Sequence, residues 1–151
     1  MTQLKQAGKA LTTRTRFSRE TSVEIDINAS AGTVWNLLTD AANYPKWNST
    51  VISIDGRIEP GQKIKLKSTL DPKRVFKLAV KEFIPNQKLV WGDGQGNRVI
   101  IIRGNSNGSI TFSMTEKIGG LMFPLYAKLI PSFDDSFEKF ARDLKTASEK
   151  R

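Results

Sequence analysis

The residue best placed to do chemistry is a carboxylate on the buried side of a strand. In "GSITFSMTEKI" Glu116 shares parity with Ile110, Phe112 and Met114, which points it inward. A carboxylate among apolar side chains needs a partner or takes up a proton. Placed so, it can hold a ligand hydroxyl or act as a general acid or base. Otherwise Glu116 sits at a wet rim where the strand ends, or pairs with Arg98 or Arg103; Tyr126 is a second polar candidate. The remaining toolkit is narrow. The chain has no cysteine and no histidine, so thiolate chemistry, disulfides and an imidazole base are excluded. No cofactor and no metal is expected. Asp134 and Asp135 are adjacent but have no further ligands at metal spacing, and read as a solvated face.

Two other motifs carry less. "GDGQGN", residues 92–97, imitates a phosphate loop, but it precedes a strand and offers no helix N-terminus, so a hairpin turn is expected. Lys63, Lys65, Lys67, Lys77 and Lys81 share one face of two adjacent strands. They could meet phosphates, yet no aromatic interleaves with them, and lysine on an open sheet face also blocks aggregation. No specific nucleic-acid partner is expected.

These residues must be carried by elements. Val23, Ile25 and Ile27 alternate with polar residues, which predicts a strand. Ser30 caps a helix with Val34, Leu37 and Leu38 on its apolar face and Trp35 beside it. Asp40 is expected to cap a second short helix, "AANYPKW", which Pro45 keeps short. Six strand patterns follow in the segments 51–56, 62–70, 74–84, 87–93, 97–104 and 108–118, split by short turns, so antiparallel neighbours are expected. Met122, Tyr126, Leu129, Phe133, Phe137, Phe140 and Leu144 then recur at steps of 4, 3, 4, 4, 3 and 4, a long helix that Pro131 must bend or restart.

A sheet with lysines on one face must bury the other, and a striped helix must bury its stripe. One helix across the inner face of a curved sheet satisfies both, giving an α+β fold with a single core. The 151 residues suit one domain. Residues 1–20, with five positive charges against one Glu, read as a basic flexible tail ahead of a domain over 21–148. The net charge is +9, which fits an anionic partner or simple solubility. There is no apolar run long enough for a membrane span, and no secretory signal, so a cytoplasmic location is the default expectation.

Bulky groups crowd the inner face. They either fill it or, where the bent sheet diverges from a helix broken at Pro124 and Pro131, leave a cavity. The order of "VEIDINASAGTVWNLLTDAANYPKWNSTVISIDG", "EPGQKIKL", "FIPNQKLVWGDG" and "GSITFSMTEKIGGL" resembles the START-like, or SRPBCC, superfamily over about residues 21–148. This helix-grip group includes polyketide cyclases and dehydrases and lipid-transfer proteins. The resemblance implies a β-α-α-β6-α chain in which an antiparallel sheet of about seven strands grips the C-terminal helix around an apolar pocket.

The expected ligand contacts are Trp47, Leu66, Phe76, Leu78, Leu89, Trp91, Ile101, Phe112, Met114, Glu116, Phe123, Tyr126, Leu129 and Phe133. Entry is expected at the Trp47 segment and at residues 119–131. The leading expectation is binding of a hydrophobic or amphipathic small molecule of lipid, isoprenoid or polyketide type. The alternatives are a cyclase- or dehydrase-like enzyme using Glu116, or a module binding an anionic partner through the lysine face and the tail. At most weak contact with an anionic surface is expected, and no oligomeric state follows from the residues.

Overall fold

The computed structural model describes residues 7–150. Its framework is one eight-stranded antiparallel sheet in the order β1-β2-β8-β7-β6-β5-β4-β3. The strands are β1 (Leu11–Thr15), β2 (Ser18–Ile27), β3 (Val51–Asp55), β4 (Lys63–Ser68), β5 (Asp71–Ile84), β6 (Lys88–Gly92), β7 (Gly96–Gly104) and β8 (Ile110–Gly119). From β3 to β8 each strand pairs with the next through a short turn, the meander the turn-rich breaks predict. Register shifts in the β3–β4, β4–β5 and β5–β6 pairs bend this half of the sheet.

Between β2 and β3 the chain crosses one end of the sheet. Helix α1 (Ala31–Thr39) starts at Ser30, whose hydroxyl accepts from the Thr33 N–H at 3.1 Å, and it buries Val34, Trp35 and Leu38. A 3-10 turn (Ala41–Asn43) leads into the single turn of α2 (Tyr44–Trp47). Asp40 makes no cap to the backbone there; its carboxylate accepts from the Asn43 side chain instead at 2.6 Å.

The C-terminal segment divides where Pro131 requires. A short helix α3 (Phe123–Tyr126) and a 3-10 turn (Ala127–Leu129) come first, and α4 (Asp134–Glu149) restarts beyond the proline. Phe137, Phe140, Ala141 and Leu144 of α4 are buried against the inner sheet face, while Asp134 and Asp135 favour its positive N-terminal end. The apolar stripe therefore holds only downstream of the break. Met122 and Leu129 continue its period in the sequence but stand exposed, because the restarted helix does not carry their phase to the core.

Residues 1–20 differ from the expected tail. Within them β1 and the start of β2 form a hairpin on the edge of the sheet, raising the strand count from about seven to eight; residues 1–6 lie outside the described part. Polar contacts fasten the hairpin to α4. The Ala10 N–H donates to Glu138 at 2.9 Å, and the Thr12 hydroxyl donates to Asp134 and lies 2.9 Å from the Thr21 hydroxyl. Asp134 is accordingly a fastening point and not simply a solvated face.

The core runs from Val23 and Ile27 of β2 through Ile100, Ile102, Phe112 and Met114 to Phe140 and Leu144. Full burial of each such side chain contributes roughly 1.5–3 kcal/mol. On the other face Lys63, Lys65, Lys67, Lys77 and Lys81 are all exposed, and Lys65 stands directly opposite Lys77. Among the described residues no helix is long and apolar enough to cross a membrane.

Candidate functional site, an apolar cavity with one ion pair

Sheet and helix separate where α4 begins, and the gap between them is a cavity of about 180 Å³. Three structural elements set its walls. The bent β4–β5 hairpin supplies Leu66, Phe76 and Leu78; β6 supplies Trp91; the segment ahead of α4 supplies Leu129, Ile130, Pro131 and Phe133. Parity explains the β4–β5 contribution, since Leu66, Phe76 and Leu78 are each opposite in sense to an exposed lysine neighbour. The segment ahead of α4 reaches the cavity because Pro131 interrupts the helix at that point.

The polar content is concentrated. Arg98 of β7 and Glu116 of β8 are cross-strand partners that both line the cavity. Arg98 Nε donates to Glu116 Oε1 at 2.8 Å, and the two side chains are only 14% and 18% exposed. The guanidinium also lies over the rings of Phe137 and Phe140, with its central carbon 5.0 and 5.7 Å from their centroids. The pair is thus held by a salt bridge from one side and two aromatic faces from the other. Nε is the one guanidinium nitrogen it commits to Glu116, which leaves the terminal N–H groups as donors and Glu116 Oε2 as an acceptor. Arg103, the other candidate partner, pairs with Glu24 instead.

A second arginine fastens the cavity roof. Arg19 of β2 is buried, donating to the carbonyls of Ile130 at 3.3 Å and Pro131 at 2.8 Å while its guanidinium stacks over Phe133 at 4.7 Å. Burial lowers its pKa, with Arg14 adding to the effect, although a guanidinium stays charged at any physiological pH. This residue lies in the sequence expected to be a tail, and nothing in its polar surroundings marked it as part of a site.

Seven of the expected contacts meet at the cavity: Leu66, Phe76, Leu78, Trp91, Glu116, Leu129 and Phe133. The other seven do not line it. Leu89, Phe112 and Met114 have the right parity but lie where sheet and helix are in full contact, and are completely buried. Ile101 has the opposite parity to its buried neighbours Ile100 and Ile102, and so belongs to the other face. Phe123 and Tyr126 pack edge to face on each other in α3, their centroids 5.6 Å apart. Trp47 packs on Tyr44 and Phe140 at 4.9 and 5.8 Å. Tyr44 is fully buried, donates to the Leu38 carbonyl at 2.7 Å, and has its phenol pKa pushed up by that burial. The 44–47 segment is therefore a wedge in the packed end and not half of a lid. Arg98, Ile118, Thr50, Ser136 and Arg74 also line the cavity, and the first two could have been found by carrying strand parity past the apolar residues.

A family model described as polyketide cyclase / dehydrase and lipid transport matches residues 18–148. The chain belongs to this family, of the SRPBCC or START-like type. Solved structures agree on the helix-grip fold. A START superfamily protein from Mycobacterium smegmatis is 20% identical with a TM-score of 0.62, covering 87% of this chain and 97% of that one. A hypothetical protein from Helicobacter pylori is 14% identical with a TM-score of 0.68, covering 84% and 86%. A protein from Nitrosomonas europaea is 13% identical with a TM-score of 0.65, covering 91% and 97%. A comparison with curated proteins returned no match. Among the described residues of this family member, no group of three or more acidic side chains converges on a point where a metal could be held.

Proposed function

We propose that the chain binds one hydrophobic or amphipathic small molecule of lipid, isoprenoid or polyketide type, its apolar part in the cavity and one polar group on the Arg98–Glu116 pair. The observation that carries this reading is that half-shielded pair set against aromatic walls, whereas Asp71 and Arg74, the charges at the start of β5, stand exposed at the mouth. Apolar walls favour any nonpolar guest by about 25 cal/mol per Å² buried, without choosing among guests. A single fixed donor and acceptor orients a guest that has one hydroxyl, carbonyl or carboxylate. At about 180 Å³ the space is smaller than the ~300–1,000 Å³ typical of sites that enclose a drug-sized ligand. A guest of full lipid length therefore protrudes through the mouth or displaces the 127–133 segment.

The enzymatic alternative needs Glu116 to be available for proton transfer. Arg98 engages it directly, and of the other carboxylates in the lining Asp93 is taken up by the Gln95 and Gly96 N–H groups of its own turn while Asp71 stands exposed at the start of β5, so binding is the better-supported role. The test uses the three tryptophans, of which only Trp91 lines the cavity. Titrating fatty acid or a naphthalene dye should change tryptophan fluorescence in the wild type and hardly at all in Trp91→Phe. Glu116→Gln should still bind. Unchanged fluorescence in the wild type, with no guest found by native mass spectrometry of the expressed protein, would remove the proposal.

A further inference from the structure

We infer that the rim of the cavity mouth is a docking surface for an anionic lipid bilayer, and that the guest passes through this rim without crossing water. The inference rests on the cavity-binding reading above. Four large apolar side chains stand in solvent on the segment ahead of α4: Leu121 is 85% exposed, Met122 61%, Leu125 75% and Leu129 82%. Phe17, 42% exposed at the tip of the β1–β2 hairpin, adjoins them, since the Gly120 N–H donates to the Phe17 carbonyl at 3.0 Å. Single exposed apolar residues need no explanation, but five on two adjoining segments make a patch of the kind that meets a partner or a membrane.

Charge selects the membrane. Residues 117–133 contain Lys117 and Lys128 and no acid. The hairpin tip adds the exposed Arg14 and Arg16, and the start of β5, at the mouth, adds Arg74. Against these five cations stand Glu20, which is opposite Lys117 in the ladder, and Asp71 and Asp93. Arg19 is not among the five, being buried on backbone carbonyls. Leucine and phenylalanine among cations is the composition of segments that lie in an anionic interface. A second copy of this chain fits poorly, because a two-fold contact would set the same cations against each other. The rim is also continuous with the cavity: Leu129 is both exposed and part of the cavity wall. A bilayer covering the rim would thus face the cavity directly.

Co-sedimentation of the full chain with vesicles tests this. Vesicles of phosphatidylcholine with phosphatidylserine should bind it at least ten times more tightly than phosphatidylcholine alone, with binding weakened by salt. The Leu121→Glu/Leu125→Glu variant, which changes no cavity-lining residue, should lose vesicle binding more than tenfold and keep its affinity for a naphthalene dye. Arg16→Glu/Lys128→Glu should bind both vesicle types alike. Equal binding of wild type to both vesicles, wild-type vesicle binding by the leucine variant, or a wild-type dimer that this variant makes monomeric without any vesicle affinity would each overturn the inference. Dye binding is read separately. Its loss in the wild type would retire the cavity reading, whereas failure on vesicles with dye binding intact would retire the docking surface alone.

Discussion

The two ends of the sheet–helix sandwich are built from the same elements and behave differently. At the packed end Phe112 and Phe140 stack in parallel, with centroids 6.0 Å apart, and Tyr44 and Trp47 wedge the helices against them. At the open end Phe133 and Phe137 also stack at 6.0 Å, but Arg19 and Arg98 occupy positions where further apolar side chains would close the gap. The difference comes from two features, the proline that stops the helix and the charges that replace core residues. A core is filled wherever both layers are regular, and here the cavity sits where one layer is broken.

The largest contrast should appear on truncating a ring. Phe140→Ala at the packed end removes contacts to Tyr44, Trp47, Phe112 and Arg98, and should cost ~3–5 kcal/mol in urea unfolding. Leu78→Ala at the open end, facing space that already exists, should cost no more than ~2 kcal/mol, below the usual buried range, since little new void is created. Equal costs would mean that the two ends are packed alike.

The next effect concerns the charges. Arg98→Met leaves Glu116 without its partner and removes a cation from two ring faces. Both groups retain some solvent contact, so the loss should be about 1–3 kcal/mol and not the full cost of a stranded buried ion. Adding Glu116→Gln should recover part of it, because the double variant strands no charge. Binding should separate in the same pair of variants: a fatty acid should weaken at least tenfold while a hydrocarbon of equal length is hardly affected. Equal loss for both guests would remove the pair from the recognition of the ligand.

Enlarging a side chain sharpens the comparison further. Leu78→Phe points into empty space and should change stability by less than ~1 kcal/mol while lowering dye affinity about tenfold. The same kind of swap at the fully packed Ile100, Ile100→Phe, should cost roughly 1–3 kcal/mol and leave the dye site intact. Calorimetric unfolding and a dye titration on the two variants decide it.

The sequence was most legible where a strand alternates cleanly. Leu66, Phe76 and Leu78 follow from parity alone, and so does the inward direction of Glu116. It was least legible where period or polarity misleads. Three consecutive isoleucines, Ile100, Ile101 and Ile102, hide their parity; the inward Arg98, read as a surface charge, points the wrong way, while the exposed Arg103 beside Ile102 gives the right one. The stripe through Met122 and Leu129 keeps helical spacing across a proline that resets the helix, so spacing survives while direction does not. In "LTTRTRFSRE" hydroxyls and arginines occupy both faces, because the edge hairpin fastens to Asp134 and Glu138 and uses Arg19 to hold the cavity roof. No hydrophobic pattern exists there to be read. Tyr44 and Trp47 could not be placed at one end or the other, since an aromatic wedge and an aromatic lid have the same composition.

The smallest effect lies at the packed end, where α4 finishes. Glu149 accepts from the Asn28 N–H at 2.8 Å and from Lys145 at 2.6 Å, and Lys145 also donates to the Asp26 carbonyl at 3.0 Å. The Lys145 hydrogen bond, followed by that from Asn28, lowers the Glu149 pKa. A carboxylate lowered in the folded state binds its proton more readily in the unfolded one. Its contribution is therefore present above its unfolded-state pKa and is lost as pH falls through its folded-state pKa. Glu149→Gln should slightly lower stability at neutral pH and flatten the acid side of the stability profile, with no change in dye affinity. The group is exposed, so added salt should shrink the difference. An acid limb as steep in the variant as in the wild type would show that this carboxylate contributes nothing, and that apolar packing and the Lys145–Asp26 bond fix the end of α4 to the β2–α1 junction.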